Sequence, residues 1–167
     1  MDADQDKQWL IWLVAPLLIV LLPFLLAAVL LWLVIVLVIK LVIIIGVWFA
    51  WNPRGKDTLV VYSRSPYWQE YFEARLIPQI ESRSLLLNWS DRACWPSWRL
   101  RTLAFRMFKG ERDFNPMVLV FKPFHWPKSF RFYDSFIQHK HGREQPLIAL
   151  EKQLAQCLGS DSLEKQR

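Results

Sequence analysis

Between Trp9 and Trp51 the chain carries a single formal charge, Lys40, in a run that is otherwise almost wholly apolar and joined directly to a polar remainder. A helix needs about 20 apolar residues to cross a bilayer core. The run is therefore longer than one ordinary span and too hydrophobic for the interior of a soluble domain. It predicts a membrane anchor over residues 1–51, followed by a soluble domain over residues 52–159 and a polar tail over 160–167.

Two arrangements of the anchor fit. Pro16 and Pro23 each remove a backbone donor and crowd the preceding turn, which predicts a break near Leu21 to Leu25. In the first arrangement Trp9 to Leu22 and Phe24 to Trp51 are the two arms of a transmembrane hairpin. In the second, Phe24 to Phe49 is a single span and Trp9 to Leu22 lies as an interfacial helix. Trp9 and Trp12 at one end, and Trp48 and Trp51 at the other, read as interfacial anchors in both.

The leading residues carry Asp2, Asp4 and Asp6 against Lys7, so no basic region precedes the apolar run and a cleaved signal peptide is not expected. Arg54, Lys56 and Arg64 follow the run closely. By the positive-inside rule they predict a bacterial inner-membrane protein with its C-terminal domain in the cytoplasm. Two cysteines, Cys94 and Cys157, suit a reducing compartment and read as buried, inert thiols. Lys40, deep in the apolar run, reads either as a snorkelling side chain or as a cation with a protein or lipid partner.

The polar part alternates its periodicities. Thr58 to Ser63 reads as a buried strand and Pro66 to Ile80 as a helix, with Ser65 as its cap and Pro66 in its first turn. Ser84 to Trp89 reads as a second strand and Trp95 to Phe108 as a second helix, closed by Lys109-Gly110. Met117 to Phe121 and Ser129 to Tyr133 read as third and fourth strands, the latter exposed, and Pro146 to Leu158 as a last helix stopped by Gly159. The expected class is α/β.

This β-α-β-α-β-β-α order resembles the thioredoxin fold over roughly Thr58 to Leu158. The junction Val61-Tyr62-Ser63-Arg64-Ser65-Pro66-Tyr67-Trp68 is similar to a glutaredoxin active-site junction, where a Tyr-Ser-Lys-Ser stretch leads into Cys-Pro-Tyr-Cys. Asn115-Pro116 stands before the third strand, where that superfamily places its cis-proline. The resemblance implies a cis bond at Asn115-Pro116 and a third strand lying beside the first. It also implies a ligand cleft at Arg64, Ser65, Tyr67, Asn115 and Pro116.

The thiols that give the family its chemistry are absent. Ser65 and Trp68 occupy the two cysteine positions, and neither can carry disulfide exchange. His125, His139 and His141 lack neighbours at metal-ligand spacing and read as solvated loop. There is no P-loop, dinucleotide fingerprint or nucleophile elbow. Neither catalytic residues, cofactor nor metal are expected.

From Asn52 onward 19 Lys and Arg face 12 Asp and Glu, and between Arg92 and Arg112 six cations face Glu111 alone. Arg99, Arg101, Arg106 and Lys109, interleaved with Trp95 and Trp98, therefore form with Lys40 the candidate surface for a membrane or a partner. Anionic headgroups and other membrane subunits are the expected partners; nucleic acid is not. Taken together, the sequence predicts a non-catalytic, membrane-anchored binding or scaffold domain, an accessory or assembly subunit of an integral membrane complex. The alternative is a cysteine-independent, glutathione- or lipid-binding transferase at the membrane surface.

Overall fold

The computed structural model describes residues 5–110 and 115–159, with side chains from residue 20 onward. The side chains of Trp9 and Trp12, the loop residues Glu111 and Arg112, and the tail from residue 160 lie outside the described residues. The chain forms two compact units, Met1–Leu41 and Val42–Arg167.

A single helix, α1 (Gln5–Trp51), takes in the whole apolar run. The expected hairpin is not formed. Each proline deletes one backbone bond, and the neighbouring bonds carry the helix through. Besides Pro23, Leu21 to Leu25 offers none of the Gly, Asn, Asp or Ser residues that a reversal of the chain would use. Apolar side chains between Val20 and Leu41 are largely exposed. Among the described residues one helix, Val20–Arg54, is long and apolar enough to cross a membrane.

The second unit takes in the last turns of α1, from Val42. A four-stranded mixed sheet forms its centre: β1 (Thr58–Tyr62), β2 (Ser84–Asn88), β3 (Met117–Val120) and β4 (Lys128–Arg131), in the order β2-β1-β3-β4. β1 runs parallel to β2, with Thr58 opposite Ser84, and antiparallel to β3, with Leu59 opposite Leu119. β4 closes an antiparallel hairpin with β3, with Val118 opposite Phe130. The Asn115-Pro116 peptide bond is cis.

Strand periodicity sends alternate residues of the two central strands to opposite faces. Val60, Tyr62, Val118 and Val120 point to one face, where they meet Phe72, Leu76 and Ile80, then Phe136, then Leu147, Leu154 and Leu158. Leu59, Val61, Met117, Leu119 and Phe121 point to the other, where they meet Ala104 and Phe105. Ile43, Val47 and Trp51 from the end of α1 complete that second layer. Trp51 lies edge-on to Phe121 with ring centres 5.6 Å apart. Leu100 lies over Gly46, where an added Cβ would make an ordinary contact with it at 3.5 Å.

The helices differ in detail from the periodicity. α2 consists of Gln69–Tyr71, a π turn over Phe72–Leu76 and Ile77–Ile80, and starts later than Ser65 would set it. Ser65 is not its cap: no side chain caps the helix at Trp68. The π turn, in which Ile77 N–H bonds Phe72 O, relaxes the chain just where Pro78 would crowd the carbonyl four residues back. α3 (Leu100–Phe108) also starts late, because Trp95 precedes Pro96 and is held extended. Gly110 follows α3 in the left-handed region, as the Lys109-Gly110 stop implies. A helix absent from the sequence reading, α4 (Tyr133–Lys140), sits between β4 and α5 (Gln145–Leu158).

Two polar clusters tie the layers together. Arg83 donates to Asp57 Oδ1 from Nε at 2.9 Å and to Leu158 O from Nη1 at 2.8 Å, and a second Arg83–Asp57 bond makes the pair bidentate. That bonding to Asp57 raises the Arg83 pKa, burial acting against it. Tyr71 donates its hydroxyl to Glu151, which also lies 3.5 Å from Arg75. Burial first, and then the bond to Glu151, raises the Tyr71 pKa well above its usual 10.0. An unfolded phenol ionises near that value while the folded one stays protonated, so this contribution is complete below pH 10 and falls away above it. Denaturation of the purified protein between pH 8 and about 11 is expected to show a stability loss above about pH 10 that Tyr71→Phe reduces.

Candidate functional site

β1 ends at Tyr62, and the next six residues turn the chain into α2. Ser63 is the hub of this turn. Its Oγ accepts from Trp68 Nε1 at 3.2 Å and from Asn115 Nδ2 at 3.0 Å, while its carbonyl accepts from Ser65 N–H at 2.8 Å. Asn115 thus reaches across from the strand-entry loop to the β1–α2 junction. Its Oδ1 is buried without a hydrogen-bond partner among the described residues.

Trp68 folds inward over this hub. Its ring centre lies 6.2 Å from Tyr133 and 6.3 Å from Phe136, so an aromatic plug occupies the space beside Ser63. The two rings that receive it come from the start and middle of α4, the helix that sequence reading missed. The signal for α4 was present in Phe132, Phe136 and Ile137, apolar at helical spacing behind an exposed strand.

Of the five residues expected to line a ligand cleft, Asn115 joins the hub, and Pro116 gives its carbonyl to Phe132 N–H at 2.9 Å. Arg64 turns elsewhere: its N–H bonds Ser90 Oγ at 3.0 Å and its guanidinium pairs with Asp91 at 3.1 Å. Ser65 Oγ accepts only a long bond, 3.5 Å, from Tyr67 N–H. Tyr67 is exposed, with the Lys140 ammonium 4.9 Å from its ring centre. An open depression beside Pro66 is lined by Pro66, Gln69, Glu70, Glu73 and Ala74, two of them carboxylates, which suits an anionic ligand poorly. Of the five, Asn115 alone hydrogen-bonds the Ser63 hub, and Arg64, Ser65 and Tyr67 have partners of their own.

The candidate basic surface is likewise divided. Trp95 is half-buried and packs edge-on to Trp89 and Phe105, with centres 5.8 and 5.6 Å away, so it belongs to the core and not to an outer face. Trp98 is exposed with the Arg99 guanidinium 5.9 Å from its ring. Arg99 and Arg106 are exposed, whereas Arg101 and Lys109 are half-buried. Lys40 is half-buried in α1, and among the described residues no carboxylate pairs with it.

Cys94 is exposed at the end of a 3₁₀ turn, contrary to the expectation of a buried thiol, and Cys157 is half-buried in α5; both are free. The short turn after β2 leaves Cys94 no layer to pack under. His139 and His141 lie on α4 and at its C-cap, not in a loop, and are exposed. Among the described residues no group of three or more His, Cys, Asp or Glu could hold a metal ion.

Comparisons with protein-family models, with curated proteins and with solved structures give no match. What the site does chemically therefore rests on its own geometry. A hydroxyl is held by two donors, and an indole fills the place beside it. Ser63→Ala would leave Trp68 Nε1 and Asn115 Nδ2 without their acceptor, and is expected to cost about 1–3 kcal/mol in urea denaturation.

Proposed function

We propose that this protein is a membrane-anchored, thioredoxin-like domain without redox chemistry, acting as a binding subunit of an integral membrane complex. The observation that carries the reading is the β1–α2 junction. Two features support the reading, β3 beside β1 and Asn115 reaching the junction, while Ser65 and Trp68 stand at the thiol positions and Trp68 packs half-buried against the core. A domain that keeps such a scaffold and fills its reactive corner with an indole is suited to holding other molecules, not to transferring electrons.

The anchor is α1. Its apolar length exceeds what a bilayer core requires, and Arg54, Lys56 and Arg64 follow it, favouring a cytoplasmic position for the second unit at a bacterial inner membrane. Arg99 and Arg106, with Trp98 beside them, offer exposed cations for anionic headgroups, each contributing about 1 kcal/mol near the surface. The transferase reading draws no such support, because Arg64 is paired with Asp91 and Trp68 occupies the cleft.

Purification of the full chain from membranes in mild detergent tests the proposal. The expected result is a stoichiometric membrane-protein partner that co-elutes, and no thiol–disulfide exchange with a model disulfide. A monodisperse monomer under several gentle detergents would remove the subunit reading.

A further inference from the structure

The loop between β3 and β4, residues 122–127, shows an arrangement that folding does not require. Phe124 is 91% exposed and has φ of 60°. Bulky side chains rarely enter this left-handed region, and such conformations persist only where the surroundings enforce them. Here a tight turn enforces it, with His125 N–H bonded to Lys122 O at 3.2 Å and the His125 ring to Pro123 O at 2.8 Å. Pro127 is buried at the far end of the loop. The turn holds an aromatic ring away from the core, whereas a polar residue would serve the turn better.

The position of that ring gives its meaning. It lies 5.5 Å from Trp48, near the end of α1, and the next aromatic of the loop, Trp126, packs edge-on to Phe108 at 6.1 Å and stays half exposed. Within the same unit, Ile43, Val47 and Trp51 of α1 face the sheet, whereas Val42, Ile45 and Phe49 lie on the opposite side, exposed. Phe124 thus extends an apolar surface that α1 already presents along its outer side. Lys122 and Lys128 flank the two aromatics with positive charge. An apolar ring between cations, continuous with an apolar helix, matches the headgroup boundary of a bilayer, where aromatic rings settle and ammonium groups meet phosphates.

We propose that the β3–β4 loop is a membrane-docking wedge, with Phe124 inserted at the lipid headgroup boundary beside Trp48 and Trp126 at its rim. The wedge rests on the reading of α1 as a membrane anchor and adds a second point of contact, which would fix how the domain is turned on the bilayer. By analogy with other interfacial elements the ring would lie about 5–10 Å into the headgroup and acyl boundary.

Nitroxide labels on the full chain, reconstituted in phosphatidylcholine–phosphatidylglycerol vesicles, test this. In a Cys94→Ser, Cys157→Ser background, single cysteines are placed by Phe124→Cys, Tyr67→Cys and Val34→Cys. All three positions are exposed, so the labels do not disturb the core. Collisions with oxygen and with a water-soluble nickel chelate are then measured. The expected result is a label at 124 several-fold less accessible to the chelate than the label at 67, and enriched in oxygen collisions. A label at 124 as open to the chelate as that at 67, with the label at 34 in lipid, overturns the wedge alone. A label at 34 in water overturns the anchor, and the wedge with it.

Discussion

Ile43, Val47 and Trp51 are the residues on which the second unit depends. β1 and β3 are apolar on both faces, as central strands covered by helices on both sides must be. One face is closed by α2, α4 and α5. The other is covered by the nine residues of α3 with Trp89 and Trp95 beside them, and by the last turns of α1. The final turns of the apolar run thus belong to the fold of the second unit.

With the sheet fixed in this way, the β1–α2 junction is fixed too. Val61 and Tyr62 point to opposite faces, so the chain leaves β1 at Ser63 in one direction only, and Asn115 arrives beside it because β3 pairs with β1. Here the hydroxyl of Ser63 is occupied by an indole and an amide, and the charge of Arg64 is neutralised by Asp91. Trp68 closes this corner from a half-buried position against the core, while Arg64 and Tyr67 stay exposed beside it.

Much of this architecture was legible in the residues. The β-branched run at Thr58, the Leu run at Ser84 and Met117 to Phe121 each became a strand within a residue or two, because buried central strands leave a continuous apolar signature. Gly159 and Gly110 mark helix ends through their left-handed geometry. Helix starts were less legible, since Pro78 and Pro96 act through clashes with neighbours that periodicity does not register. α4 was hidden because Tyr133 to Lys140 is short and mostly polar. Trp95 looked like surface beside Trp98, although one packs on Trp89 and the other does not; nothing in their spacing separates them. The packing of Ile43, Val47 and Trp51 on the sheet was invisible for a related reason: the exposed and the sheet-facing residues of this run are both simply apolar.

The central claim, that the end of α1 is part of the domain, is tested most directly by comparing two truncated chains, one beginning at Val42 and one at Asn52, in mild detergent. The account requires the first to unfold cooperatively with well-resolved tertiary signals. The second should bind a hydrophobic dye strongly and lose that cooperativity, because Leu59, Val61, Met117 and Phe121 would be left partly uncovered. Equal stability and equal dye binding of the two chains would contradict it.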